Sequence, residues 1–295
     1  ILITTTTVSA QPDTLWTRMY GGSEQDECNS IQQTFDGGFI LVGFTKSFGA
    51  GLSDFYVVKT DSLGNELWSR TFGGSENDVA HSVLQTSDGG FVVAGYTESY
   101  GAGGSDIFLV KTDEDGDTLW TNTFGGTEAD VCYSMIISDA DSYILAGYTE
   151  SYGAGQADMY LLNVGSDGEL IWEATYGDTS WEECRSVIQN TNGHYVLACM
   201  TYSDIYLVRT NGQSFIVDWT IDIGSLPDCC NSICETGYGL ILGGYSGLPC
   251  YRAPDMFIMK IEGILGDIEW VEIFDSWTGG EQDGGDVGTN VLHTA

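Results

Sequence analysis

Basic residues are scarce in this chain. Lys and Arg number 9 against 43 Asp and Glu, leaving a formal net charge of −34. A field of that sign repels phosphodiester backbones, so nucleic acid is excluded as a partner. No apolar run approaches the roughly 20 residues of a membrane helix, so no membrane insertion is expected. Proline is rare, with 4 residues, and histidine rarer, with 3 at His81, His194 and His293. Three His so dispersed offer no Ser-His-Asp or Cys-His set that spacing would assign, and no catalytic residue is singled out. The acidic excess has two readings: solubility, which acidic charge supports whatever a protein binds, and a protein that meets cations.

Glycine is plentiful, with 40 residues, and aromatics reach 12%. Short strands joined by glycine turns have this profile and helices do not. At the N-terminus, Ile1-Leu2-Ile3 leads through a Thr run to Val8-Ser9-Ala10. An apolar stretch ending in small-x-Ala resembles the tail of a secretory signal cleaved after Ala10. Residues 1–10 are therefore expected to be a signal-peptide remnant, 11–295 a single domain, and the protein secreted or displayed at the cell surface. The rival reading makes Ile3 to Val8 a strand, since Thr and Val favour strands.

The chain repeats. Trp16, Trp68, Trp120, Trp172, Trp219 and Trp270 fall at intervals of 52, 52, 52, 47 and 51 residues. Each unit predicts four strands, shown by the first: a, Cys28 to Thr34; b, Phe39 to Thr45; c, Phe55 to Thr60; d, Glu66 to Phe72. Asp36-Gly37-Gly38 joins a to b, because Asp-Gly accepts the positive φ of a tight hairpin. Strands b and c are apolar on consecutive positions, as in Phe91-Val92-Val93-Ala94, which marks strands covered on both faces. Four antiparallel strands at this period predict an all-β fold, a β-propeller of four-stranded blades. Five blades are complete. A partial sixth is expected to be shared by the termini, with Thr14 to Tyr20 as its outer strand d and Val287 to Thr294 as its inner strand a.

The combination FGGSENDVAHSV, QTSDGGF, AGYTESYGAGGSD and LVKTDEDGDTLW resembles the bacterial β-propeller repeat of secreted surface proteins (SBBP-type) from Asp13 to Ala295. The resemblance implies the fold and export, and no chemistry. The stretch Asp-x-x-Gly-x-x-Leu-Trp is also similar to the Trp-docking repeat of quinoprotein propellers and to the Asp-box of sialidases, with altered spacing. Both families are enzymes. A sialidase needs an Arg clamp near the axis, whereas Arg18 and Arg70 fall on strand d, the outer edge, and Arg209 on strand c.

In a propeller the d–a and b–c loops share one face, and the long loops here lie on it. Phe48, Tyr100 and Tyr152 each precede Gly-Ala-Gly in a b–c loop. With Trp181, Tyr251 and Arg252 they are the candidate ligand contacts, for a glycan or a protein. The fourth blade lacks the b–c loop. Two acidic columns line this face: Asp26, Asp78, Asp130, Glu182, Asp228, and Asp54, Asp106, Asp158, Asp204, Asp255. One reading is cation binding by clustered carboxylates; the plainer one is that each Asp caps its loop by accepting backbone N–H bonds. Asp113, Asp115 and Asp117 resemble part of a calcium loop but lack its downstream Glu, so calcium is a weak candidate and no cofactor is assigned. Cys28, Cys132, Cys184 and Cys230 stand once per blade with Ala80, as small buried residues do, without Cys-x-x-Cys metal spacing. Cys229 and Cys250, outside that column, are the disulfide candidate. Function is read as a non-catalytic exported binding module, alternatively a propeller enzyme of quinoprotein or glycan-processing type, or a structural spacer.

Overall fold

Strands that are apolar on both sides must be sandwiched. The computed structural model describes residues 16–138, 141–201, 204–210, 217–223, 228–236, 239–246, 255–262, 267–274 and 291–292. They form five antiparallel sheets and no helix. The first sheet is β1 (Asp26–Gln33), β2 (Phe39–Thr45), β3 (Asp54–Thr60) and β4 (Glu66–Phe72). The second is β5 (Asp78–Gln85), β6 (Phe91–Thr97), β7 (Asp106–Thr112) and β8 (Thr118–Phe124). The third is β9 (Asp130–Ile137), β10 (Tyr143–Thr149), β11 (Asp158–Val164) and β12 (Leu170–Tyr176). The fourth is β13 (Glu183–Gln189), β14 (Tyr195–Met200), β15 (Ile205–Thr210) and β16 (Val217–Ile223). The fifth is β17 (Asp228–Thr236), β18 (Gly239–Ser246), β19 (Asp255–Glu262) and β20 (Asp267–Phe274), with β21 (Val291–Leu292) added at its edge.

Strands follow chain order within each sheet. The first strand of each sheet packs on the first, second and third strands of the sheet before it. First strands are therefore innermost and fourth strands splay outward, a propeller-like repeat. Alternate side chains of neighbouring sheets fill each seam. Ile40, Val42, Phe55 and Val57 of the first meet Ala80, Val83, Phe91 and Phe108 of the second. Burial of each large side chain contributes roughly 1.5–3 kcal/mol, so a sheet deprived of neighbours would lose most of its support.

Each first strand carries a β-bulge at one place. The register skips one residue between Cys28 and Ser30, Ala80 and Ser82, Cys184 and Ser186, and Cys230 and Ser232, and Tyr133 is skipped likewise. In the first three sheets the second strand has glycine opposite the bulge. A Cβ on Gly43, Gly95 or Gly147 would strike the carbonyl oxygen of Glu27, Val79 or Val131. The fourth sheet has Cys199 there, in register with Cys184, and the two buried thiols hydrogen-bond to each other.

The a–b turns are clamped. Gly37 and Gly89 have φ of 82° and 88°, as the tight turn requires. Asp36 accepts from Gly38 N and from the buried Lys59, whose Nζ also donates to the Thr60 carbonyl. Lys111 repeats this with Asp88 at 2.9 Å and the Thr112 carbonyl. The Thr34 hydroxyl and then Lys59 hold the Asp36 carboxyl well below its ordinary range. For Asp88, burial opposes ionisation, yet the Thr86 and Lys111 bonds bring it down to about 2.

The two ends differ from one another and partly from expectation. Trp16 packs edge-on against Phe39 and lies beside Gly64, as Trp68 packs against Phe91 and beside Gly116. Residues 16–20 thus occupy the place of a preceding fourth strand without joining a ladder. Val291–Leu292, expected on an inner strand, instead pairs with Val271 and Glu272 on the outer edge of β20. That edge otherwise presents unpaired N–H and C=O groups, which a short added strand satisfies. Residues 1–15, including the expected signal remnant, lie outside the described residues.

Candidate binding face

The acidic columns organise the long loops. In the first column, Asp26 accepts from Gly22 N, Ser47 Oγ and Thr45 Oγ1. Asp78 accepts from Gly74 N, Ser99 Oγ and Thr97 Oγ1. Asp130 accepts from Gly126 N and Ser151 Oγ. In the second, Asp54, Asp106 and Asp158 each accept two successive amides, of residues 50 and 51, 102 and 103, and 154 and 155. These are the loop caps of the plainer reading. The columns also converge in pairs. A Cβ on Gly73 would collide with both Asp54 and Asp78, on Gly125 with Asp106 and Asp130, and on Gly177 with Asp158 and Glu182.

The b–c loop aromatics are about half exposed, Phe48 at 46%, Tyr100 at 48% and Tyr152 at 43%. Each leans on a ring of its own sheet: Phe48 on Tyr56, Tyr100 on Phe108 and Tyr152 on Tyr160, with centroids 5.7–5.8 Å apart. Tyr100 Oη donates to the Gly73 carbonyl at 2.7 Å and Tyr152 Oη to the Gly125 carbonyl at 2.8 Å. Among the described residues no ring contact joins one of the three to another, so they do not form a single aromatic patch.

The fourth sheet departs from this plan. Two residues separate Thr201 from Asp204, where eight separate Thr149 from Asp158. Thr201 and Asp204 close a tight turn, Thr201 N donating to the Asp204 carbonyl at 3.0 Å. A cavity of about 570 Å³ opens there, lined by Tyr176, Gly177, Asp178, Glu182, Thr201, Asp204 and Tyr206 among others. Glu182 holds the position of Asp78 at the entry to the first strand. Burial pushes its carboxyl up to about 7, with Asp178 and Asp158 adding to the rise. Asp26, also penalised by burial, is instead lowered by its hydroxyl and amide donors. Asp178 N donates to Glu182 Oε2 at 3.4 Å, which holds the two acids side by side. The pair can share a proton and accept from hydroxyl or cationic ligands.

A second set of residues escaped the sequence reading. The bulge residues of successive sheets stack along the inner edge. The His81 ring lies 5.1 Å from Tyr133, and the Arg185 guanidinium sits 4.0 Å over Tyr133. Tyr148 joins Tyr133 to Trp181 at 6.0 and 5.2 Å. Glu183 receives Arg185 Nε at 2.6 Å and Trp181 Nε1 at 3.4 Å. Burial, then Arg185, lowers His81 to about 4. The signal was present as Cys-Asn-Ser, Ala-His-Ser, Cys-Tyr-Ser, Cys-Arg-Ser and Cys-Asn-Ser, a varying residue between near-constant neighbours. Of the expected contacts, Trp181 belongs to this cluster, while Tyr251 and Arg252 lie outside the described residues. So does Cys250, and with it the Cys229–Cys250 pair.

Asp113 Oδ1 accepts the amides of Asp115 and Asp117 within its hairpin. Trp68 Nε1 and Arg70 of the preceding sheet donate to the Glu114 and Asp115 carbonyls. This turn is thus an inter-sheet dock. Among the described residues no three His, Cys, Asp or Glu side chains are grouped to hold a metal.

No protein-family model matches the chain. The regulatory protein FlaEY of Caulobacter vibrioides is 27% identical over 137 residues, 42% of this chain and 14% of FlaEY. The match thus spans a small part of that relative's length. A protein of unknown function from Bacteroides caccae aligns over 82% of this chain and 81% of its own, at 12% identity and a TM-score of 0.50. That likeness concerns the fold alone. The GH43 endo-arabinanase from Bacillus licheniformis aligns over 84% of this chain and 99% of its own, at 13% identity and a TM-score of 0.42, too low to carry an argument.

Proposed function

We propose that this chain forms five blades and part of a sixth of an exported β-propeller of the SBBP type, acting as a non-catalytic binding module for a glycan or protein ligand on the looped face. The observation that carries the binding reading is the bulge column. The scaffold residues around it repeat, while His81, Tyr133 and Arg185 differ from one another and present aromatic and charged groups at one inner edge. Variation at the residue the ladder omits, between near-constant neighbours, is what a rigid scaffold with a specific surface would have. The blade count is supported by the uncovered side of the first sheet. Ile31 is 59% exposed, whereas its counterparts Val83, Met135, Val187 and Ile233 are 2–4% exposed. One further blade would cover it.

The test is an array of glycans and folded proteins probed with the wild type and with Tyr133→Ala. Specific binding that the substitution weakens, with the melting temperature unchanged, supports the module. Product release from a bound glycan would make the protein an enzyme instead, and binding indifferent to every looped-face substitution would leave a spacer.

A further inference from the structure

Two sister sheets carry the same internal tyrosine contact. In the second and third sheets one tyrosine fills the same slot: its ring leans on the ring of the third strand, and its hydroxyl reaches the carbonyl of the glycine that begins the preceding linker. Tyr100 does so with Phe108 and Gly73, and Tyr152 with Tyr160 and Gly125. In the fourth sheet the counterparts of that ring and that glycine are Tyr206 and Gly177, and both line the cavity beside the short Thr201–Asp204 connection. The cavity, at about 570 Å³, is larger than one side chain and leaves room for flanking groups. Asp178, Glu182 and Asp204 are on its wall, with no Lys or Arg among the described lining residues.

We propose that this cavity binds a tyrosine side chain of a partner polypeptide, flanked by Lys or Arg, in the pose Tyr100 and Tyr152 adopt in the sister sheets. The inference rests on the binding-module reading and names the ligand class of one site on the looped face. The tyrosine ring would pack on Tyr206 and its hydroxyl would donate to the Gly177 carbonyl, while the flanking cations meet the acidic wall. Ring packing and the neutral hydrogen bond supply selectivity, and the charges supply attraction that salt weakens.

Isothermal titration with the capped peptide Lys-Tyr-Lys tests it. The expected result is saturable binding to one site, weakened roughly two- to tenfold for Lys-Phe-Lys, as loss of one neutral hydrogen bond implies, and lost for Lys-Ser-Lys. Replacing Tyr202-Ser203 by the octet 150–157 of the third sheet should refill the slot and abolish binding without lowering the melting temperature. Tyr206→Leu is the milder variant and should weaken binding severalfold. Undiminished binding by the loop-grafted protein overturns the site but leaves the module reading intact. No peptide binding, or graft-sensitive binding of methyl pyranosides in its place, overturns the ligand class. Tightening by Tyr202→Ala of more than about tenfold overturns it too, because the slot would then be filled from within.

Discussion

The second and fourth sheets solve one problem differently. Both place a buried carboxylate at the entry to the first strand, Asp78 in one and Glu182 in the other. Asp78 is surrounded by an amide and two hydroxyls, two of these donors from its b–c loop or the end of β6 and one from the linker. Glu182 sits where that loop is cut to a turn, and its partners are the amide and carboxyl of Asp178. A buried carboxylate is comfortable only with donors aimed at it. Losing a loop therefore does two things at once: it opens a cavity and it leaves an acid that holds its proton near neutrality.

The largest effect that sharpens this comparison should come from Asp78→Ala. Removing the acceptor strands one buried and two part-buried donors, at up to about 1–3 kcal/mol each before relaxation. Glu182→Ala should cost under about 1 kcal/mol, since it removes a poorly solvated charge with little to orphan. Urea unfolding of the two variants measures the difference, and equal losses would erase the distinction.

Next in size is a pH effect. The folded state raises Glu182 to about 7, above the roughly 4.3 of an unfolded glutamate. The folded chain thus holds the extra proton, and stability falls as pH climbs from about 4 to about 7. Glu182→Gln should remove that decline, raising the melting temperature at pH 8 by roughly 3 °C or more while changing little at pH 4. A gain equal at both pH values would contradict the assignment.

A smaller effect belongs to the turn clamps. Asp88 is depressed to about 2, so its contribution is complete above an unfolded value near 4 and disappears as pH falls through about 2. Asp88→Asn should cost under about 1 kcal/mol at pH 7, because that carboxylate is more than half exposed and water screens the pair. The cost should shrink as pH falls through about 2, as acid titration followed by tryptophan fluorescence would show.

The smallest effect is chemical. Cys28 is exposed, while Cys132 is buried and its thiol is pushed by that burial up to about 12. An aromatic disulfide reagent at pH 8 should modify Cys28 quickly and leave Cys132 untouched until unfolding. In a chain carrying the proposed closing blade, Cys28 should become as inert as its sisters.

How much of this was legible follows the repeat. The strands b to d of the first unit fall within one residue of their expected bounds, because Phe39 to Thr45 and its neighbours combine consecutive apolar residues with Asp-Gly turns. The capping role of the acidic columns was legible for the same reason, as each Asp recurs with its loop. The cavity was not. An absent loop is visible in sequence, but whether the gap closes depends on packing, here on where Tyr206 and Tyr176 are held. The pairing of Val291–Leu292 with β20 was likewise invisible, since its local pattern suits an inner or an outer strand equally.

The bulge in every first strand has a consequence for how such a protein can change. A residue that the ladder skips answers to no cross-strand partner, and its neighbours, the small residue before and the Ser after, carry the register without it. Asn29, His81, Tyr133, Arg185 and Asn231 are thus five addresses on an otherwise copied framework. Duplicating a blade copies the framework, and a single codon then rewrites the address. A lineage of such repeats could acquire new recognition without passing through unstable intermediates, because the letters that set the specificity are not those that set the fold.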